Sequence, residues 1–373
     1  MIPPRTLREM AHEAGFDLVR FGPVEVGDHA DHFARWLDAG RAGDMHYLHR
    51  NRARIVDPHL WAPDARSVMA LAVAYGPAGT SLPGGGRIAR YAAGRDYHRV
   101  LGNATRKLAK RLQGEGVDPA HLRLGVDAVP VLERALAVRA GIGFLAKSSM
   151  VISPDLGPYL SLAELTLPFV VDGDGPAPGS CGTCTRCLDA CPTGAIVAPF
   201  QVDARRCLSY TTIELRGAIP HELRAAQGDW LFGCDVCLEV CPFTRFAGGG
   251  GALGDDLRRT HPALETFTLT GVLELGPEDY ERHWVGTAVR RATRQGLRRN
   301  AAIVLGNRRD PSATPALARA LADDDAVVRG HAAWALGRLG GNGALLAGSL
   351  AREPDAWVRD EIETALAGGE HGA

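Results

Sequence analysis

The pattern of apolar and polar positions divides the chain into stretches of different character. Over the first 175 residues, short helical and strand-like runs alternate. Positions 6–14 carry helical spacing that stops at Gly15, and 16–21 reads as a strand. The apolar run 67–75, with Val68, Met69, Leu71 and Val73, suits a buried strand. Positions 103–113 predict a basic amphipathic helix, and 122–126 alternates as a strand that ends at Asp127. Pro130 stands where a helix can begin, and helical spacing continues over 131–140. These elements predict an α/β domain over residues 1–175, bounded by the turn-forming run 172–179.

Toward the C-terminus the pattern repeats. The stretch from Leu297 to Gly306 (LRRNAAIVLG) aligns with that from Val328 to Gly337 (VRGHAAWALG), and a fainter copy starts at Val358-Arg359. The apolar-Arg pair, the Ala-Ala pair and the Leu-Gly ending recur in register at about 30 residues, the signature of stacked HEAT-type helix pairs. A plain helical bundle is the simpler alternative. Residues 249–373 are therefore expected to form a HEAT-like helical domain.

Composition alone adds little. The 373 residues are 46% hydrophobic and 23% charged, an ordinary globular balance that excludes disorder and collagen-like repeats. A net charge of -1 singles out neither a nucleic acid nor a membrane as partner. The distribution of charge says more. Between Arg282 and Arg309 stand eight arginines and no acidic residue, so this segment carries +8 and the remainder -9. Arg290, Arg291, Arg294, Arg298 and Arg299 fall at helical spacing, and such density suits phosphate contacts. A solvated helix face is the alternative, although such faces normally mix signs. No apolar run approaches the roughly 18 residues of a membrane span. The first residues show neither an apolar signal core nor a twin arginine, so a cytoplasmic protein is expected.

All eight cysteines lie between Cys181 and Cys241. In a reducing compartment, clustered cysteines point to metal ligation rather than disulfides. Cys181-x2-Cys184-x2-Cys187-x3-Cys191-Pro192 has the spacing of a bacterial 4Fe–4S ferredoxin motif, in which the fourth cysteine serves the other cluster. Cys207, then Cys234-x2-Cys237-x3-Cys241-Pro242, completes a second set. Crossed ligation places one cluster on Cys181, Cys184, Cys187 and Cys241, and the other on Cys191, Cys207, Cys234 and Cys237. Structural zinc prefers two separated Cys-x2-Cys knuckles and calls for neither a third cysteine nor the Cys-Pro ending. A ferredoxin-like two-cluster domain is expected over 176–248. Gly141-Ile142-Gly143 superficially matches a dinucleotide fingerprint, but it follows a helix and reads as a helix C-cap and turn.

Further stretches stand beside the two cysteine motifs: Met45-x-Tyr47-x2-Arg50-Asn51, Asp57-Pro58-x-Leu60, Arg90-Tyr91-Ala92-x-Gly94-Arg95-Asp96-Tyr97-His98, Val126-Asp127-x2-Pro130-Val131-Leu132-Glu133-Arg134, Tyr210-x-Thr212-Ile213-Glu214, and Gly286-Thr287-Ala288 through Arg299-Asn300. Together these stretches resemble the epoxyqueuosine reductase family. The resemblance runs from about residue 5 to residue 340, with the motifs in the family's order. It implies a nitroreductase-like cobalamin-binding α/β domain ahead of the two-cluster domain. The implied activity is removal of the epoxide oxygen of epoxyqueuosine, as water, at the wobble position of tRNA. It further implies Asp127 as the proton donor, which a raised pKa would keep neutral. From the residues alone, Asp127 reads rather as a cap of the helix that follows. Tyr97 and His98 are candidates for the substrate pocket, or surface residues of a turn.

Cobalamin contacts are implied at Val151, Leu162, Thr166, Ser209, Cys234 and Asp235, within matching segments that include Lys147 to Ile152. Many cobalamin proteins supply a lower-ligand histidine from Asp-x-His-x2-Gly. Asp57-x-His59 and Asp96-x-His98 both lack the glycine, which fits a base-off cobalamin without a histidine ligand. The chain departs from the family pattern at Phe144, Ala146, Ser148, Ser149, Arg54-Ile55 and Phe243-Thr244. The expected partners are tRNA and an external low-potential electron donor of unspecified identity, with no membrane and a monomeric state. Two alternatives stand beside this reading: a cobalamin and iron–sulfur reductive dehalogenase, and a non-catalytic iron–sulfur electron carrier.

Overall fold

A computed structural model describes residues 2–76, 79–248 and 250–369. The chain forms two compact units, each made from several segments. One comprises Met1–Ala78, Arg90–Cys207 and Asp235–Arg259; the other comprises Gly79–Ala89, Leu208–Cys234 and Thr260–Ala373.

The first unit is built on a four-stranded antiparallel sheet. Its strands are β1 (Leu18–Gly22), β2 (Ser67–Ala74), β3 (Leu124–Gly125) and β4 (Leu160–Leu167), in the order β1-β2-β4-β3. Every residue of β2 is buried, as its unbroken apolar run predicts. Helices α1 (Pro4–Glu13) and α2 (Tyr97–Gly114) cover one face, where Leu7, Phe21, Leu71, Leu108 and Leu165 share a core. Helix α3 (Glu133–Ala140) covers the other, with Ala137 and Ala140 against Ala70, Ala72 and Leu162.

Three differences from the sequence pattern matter for the site. Helix α2 begins at Tyr97, because the Asp96 carboxylate caps it by accepting the His98 N–H at 3.0 Å. Helix α3 begins at Glu133, not near Pro130, and ends on Gly141 at φ +96°, the left-handed C-cap expected there. Finally, the pattern does not predict the central strand β4, because Glu164 interrupts its apolar run.

In the second unit, helices α4 (Thr293–Arg308), α5 (Ala326–Leu339) and α6 (Ala356–Gly369) carry the repeat. The recurring glycines mark where successive helices cross. A Cβ on Gly306 would meet Trp334 at 2.8 Å and Ala335 at 2.9 Å, and one on Gly337 would meet Ala365 at 2.8 Å. The Leu-Gly ending is therefore a packing requirement of each repeat on the next. Among the described residues no helix is long and apolar enough to cross a membrane.

Candidate active site and cluster ligands

Asp127 lies in the loop between β3 and α3, with φ +54°. That left-handed conformation is one that aspartate tolerates better than most residues. It does not cap α3, whose N-cap is Leu132 and lacks a side-chain hydrogen bond, so the capping alternative fails. Instead its carboxylate turns toward the start of α2. The Tyr97 hydroxyl donates to Asp127 Oδ2 at 2.6 Å, and His98 Nε2 lies 3.2 Å from the same oxygen. His98 Nδ1 lies 2.8 Å from Asp96 Oδ1, so the capping residue of α2 also aims the imidazole. The Tyr97 and His98 rings stack at 4.1 Å. Sequence reading left Tyr97 and His98 between pocket and surface; the structure brings both to Asp127.

The electrostatics reverse one expectation. Burial pushes the Asp127 carboxyl up, but hydrogen bonds from His98 and Tyr97 outweigh it and hold the group below its ordinary value. Burial pulls His98 down, yet its bonds to Asp127 and Asp96 push it up to about 9. Both shifts run against the raised Asp127 pKa that the resemblance implies.

Two more carboxyls escaped sequence reading. Glu133 Oε2 accepts the backbone N–H of Asp127 at 2.8 Å. Burial and the neighbouring Asp127 push Glu133 up to about 7. Glu164, opposite Gly125 in the sheet, is 1% exposed, and among the described residues neither of its carboxyl oxygens has a hydrogen-bond partner. Burial drives it far above the usual carboxylate range, with Glu133 and Asp127 adding to the shift. The available signal was an acidic residue inside an otherwise apolar strand.

The eight cysteines are all partly buried. Electrostatic coupling groups four of them. Burial raises the Cys187 thiol, and Cys181 and Cys184 raise it further; burial likewise raises Cys241, which also feels Cys181 and Cys184. These four are the cysteines that the sequence spacing assigns to one cluster. Backbone amides stand ready for thiolate charge, from Lys147 to Cys181 Sγ at 3.4 Å and from Ala195 to Cys191 Sγ at 3.2 Å. Lys147 Nζ clamps the ligand loop through the carbonyls of Gly182 (2.8 Å) and Cys184 (2.9 Å). Among the described residues no three His, Cys, Asp or Glu side chains converge as a single metal ion requires. A 4Fe–4S cube takes one thiolate per iron and needs no such convergence. Cys241→Ser is expected to lower the iron content from about eight per chain to about four, while Cys191→Ser removes the other four. Iron and sulfide analysis with electron paramagnetic resonance of each variant checks this. Loss of the same cluster in both would overturn the crossed assignment.

Two departures from the family pattern are neighbours. Phe144 and Phe243 meet edge to face at 5.1 Å beside Cys181 and Cys241, with Ala146 and Ile152 in the same cluster.

Of the cobalamin candidates in the first unit, Val151 and Leu162 pack beneath α3. Thr166 Oγ1 accepts the Arg123 N–H at 2.9 Å, and Asp235 Oδ2 accepts the Arg90 N–H at 2.7 Å. In the second unit, Ser209 sits in the helix Leu208–Ile213 and Cys234 follows the strand Trp230–Phe232. The first unit also holds buried polar atoms without partners among the described residues, namely the Tyr159 hydroxyl and Arg90 Nε and Nη1. Unspent donors of this kind fit a large amide-bearing group such as cobalamin.

The arginine segment is corrected in part. Arg299 is fully buried and Arg298 nearly so, and both bond to backbone carbonyls, so neither is placed to meet a phosphate. Arg290 pairs with Glu281 and Arg291 with Glu214, both reaching solvent, and Arg294 donates to the Leu275 carbonyl at 2.9 Å.

Comparison with known proteins matches these features. Family models match at residues 55–128 (epoxyqueuosine reductase QueG), 180–244 (4Fe-4S double cluster binding domain) and 285–367 (HEAT repeats). An epoxyqueuosine reductase of Xanthomonas campestris is 38% identical over 90% of this chain and 95% of its own. One of Pseudomonas aeruginosa is 39% identical over 90% and 94%. A crystal structure of epoxyqueuosine reductase with an epoxyqueuosine-modified tRNA-Tyr stem loop superposes with a TM-score of 0.89 at 31% identity, covering 98% of both chains. A Bacillus subtilis epoxyqueuosine reductase with its catalytic aspartate loop swung out of the active site superposes at 0.87, also at 31% identity and 98% of both. The chain belongs to the epoxyqueuosine reductase family, oxidoreductases of tRNA modification that work with two 4Fe–4S clusters and cobalamin.

Proposed function

We propose that this chain reduces the epoxide of epoxyqueuosine in tRNA to queuosine, with the Asp127–His98 pair as its acid. Family membership fixes the reaction class, and neither the dehalogenase nor the electron-carrier alternative accounts for the Asp127 constellation. The reaction consumes two electrons and two protons. Both epoxide C–O bonds break, a carbon–carbon double bond forms, and the oxygen leaves as water. Cobalamin, when bound, supplies a reduced cobalt able to attack or reduce an epoxide carbon, replenished one electron at a time by the clusters.

The chain's own residues handle the protons. Asp127 presents its carboxylate to the departing oxygen, and His98 carries the proton that the pair delivers. Tyr97 fixes the orientation of the carboxylate. The aspartate loop of the Bacillus subtilis relative supports the same role for Asp127. Both ring nitrogens of His98 are engaged by carboxylates, which supports a base-off cobalamin with no lower histidine. Val151, Leu162, Thr166 and Asp235 are the residues we assign to the cofactor, with Ser209 and Cys234 as further contacts. Residues 1–175, 176–248 and 249–373 serve catalysis, electron supply and tRNA binding respectively. Arg290, Arg291 and Arg294 are the phosphate contacts that remain after Arg298 and Arg299 are set aside. The electron donor is an external low-potential carrier, and the enzyme acts as a cytoplasmic monomer.

The observation that carries this reading is the imidazolium–carboxylate pair in a chain with two cluster ligand sets. Anaerobic incubation of reconstituted protein and cobalamin with tRNA bearing epoxyqueuosine, followed by nucleoside mass spectrometry, tests it. Loss of one oxygen is expected; an unchanged nucleoside overturns the assignment.

A further inference from the structure

The reaction needs two protons per turnover, and the Asp127–His98 pair holds one. We propose that Glu133 and Glu164 form a buried proton store behind Asp127, which returns a proton to the Asp127–His98 pair within each turnover. This rests on the acid role assigned to Asp127.

The geometry leads to it directly. Glu164 stands at the centre of the sheet, 1% exposed, with both carboxyl oxygens unpartnered among the described residues. Burial of that depth disfavours the charged form, so the carboxyl holds a proton. It pairs with Gly125, two residues before Asp127. A Cβ on Gly125 would meet Glu164 Oε2 at 2.6 Å and Val129 at 2.8 Å, so only glycine lets the backbone pass this close. Glu133 occupies the first position of α3 and receives the Asp127 N–H on Oε2, which leaves Oε1 to carry a proton. Glu164 therefore approaches the Asp127 loop from the paired strand, and Glu133 approaches it from the helix that follows. The charged groups facing them are Asp127, His98 and Arg134, with Tyr97 beside Glu133. Among the described residues no positive side chain is bonded to either acid, which distinguishes the pair from a structural ion pair.

The balance closes without a further reactant. The epoxide oxygen takes its first proton from the Asp127–His98 pair as one C–O bond breaks. Glu133 then reprotonates Asp127, Glu164 refills Glu133, and the second proton leaves with the oxygen as water. Solvent restores Glu164 between turnovers. Both electrons arrive by the clusters. Glu133 and Glu164 do not touch the substrate; they act through Asp127.

Glu164→Gln and Glu133→Gln, each reconstituted with clusters and cobalamin, test the store. Either variant is expected to lose roughly ten- to a hundred-fold in kcat, the low end of what positioned proton transfer contributes, with KM for tRNA unchanged. In the wild type, kcat should fall as pH rises through the range near 7 where Glu133 gives up its proton. That limb should vanish in both variants. Infrared difference spectra should show two carbonyl stretches of protonated carboxylic acids in the wild type, of which Glu164→Gln keeps one. Should Glu164→Gln fail to fold, Glu133→Gln carries the pH test alone, since Glu133 stands at the start of a helix and not inside the sheet. A wild-type pH limb in the variants overturns the store, as does absence of the protonated-acid band. Weakened corrinoid binding with an unchanged limb also overturns it, by making Glu164 a cofactor ligand. Asp127→Asn run in parallel separates the levels: if it retains turnover, the reading of the site itself fails.

Discussion

Asp127→Asn is expected to lose roughly 10²- to 10⁴-fold in turnover, the range of a positioned acid, while retaining both clusters and bound cobalamin. The substitution is mild everywhere except at the proton. Asn occupies the left-handed region as readily as Asp, so the φ of +54° adds no strain. Its amide oxygen still accepts the Tyr97 hydroxyl. The Asp127 side chain is 58% exposed and caps no helix, so its replacement leaves the fold intact. What disappears is the anion that keeps His98 charged. With Asp96 as its only carboxylate partner, the imidazole should titrate well below the value near 9 that the pair imposes. Nuclear magnetic resonance of the His98 ring protons would read that shift independently of turnover. A variant with full epoxide reduction, or with His98 still titrating near 9, would remove Asp127 from the acid role.

How much of this was legible in the sequence depends on whether each feature is local in the chain. The two-cluster domain was, because its ligand loops are built from spacings of two and three residues. The repeat was also legible, since its glycines are needed wherever one helix crosses the next. Asp127 could be found from its motif, but its protonation state could not. That state is set by Tyr97 and His98, some thirty residues upstream, and a carboxyl beside an imidazolium behaves oppositely to one in an apolar pocket. Glu164 was hidden for the same reason: only the pairing of β3 with β4 places it under Gly125. The departures at Phe144 and Phe243 looked independent along the chain. Their edge-to-face contact makes them one adjustment, in which two smaller rings pack on each other beside the first ligand set.

The arginine segment gives the second large effect, and it separates structure from recognition. Helical spacing shows that arginines share a face but not whether that face meets solvent. Arg299 points inward. Its guanidinium donates to the carbonyls of Leu215 and Gly217 at 2.8 Å and of Thr211 at 2.6 Å, with Asn300 Oδ1 completing the set. Residues 211–217 pass from the end of a helix into an irregular segment, where carbonyls fall outside the helical ladder and a long planar donor is what reaches them. Arg299→Met keeps the volume but strands those carbonyls, which should cost about 3–5 kcal/mol, as for breaking a buried charged network. Thermal unfolding should show a markedly lower Tm, with the salt dependence of tRNA binding by the surviving folded fraction unchanged. Arg290→Gln and Arg291→Gln should do the reverse. Their ion pairs with Glu281 and Glu214 reach solvent and stabilise little, so Tm should hold. Affinity for tRNA should fall, and the slope of log affinity against log salt should flatten by roughly 0.7–0.9 for each phosphate left without its arginine. Equal salt slopes in wild type and both glutamine variants would move the tRNA interface away from this segment. An unchanged Tm in Arg299→Met would show that the buried guanidinium is not what holds the 211–217 segment in place.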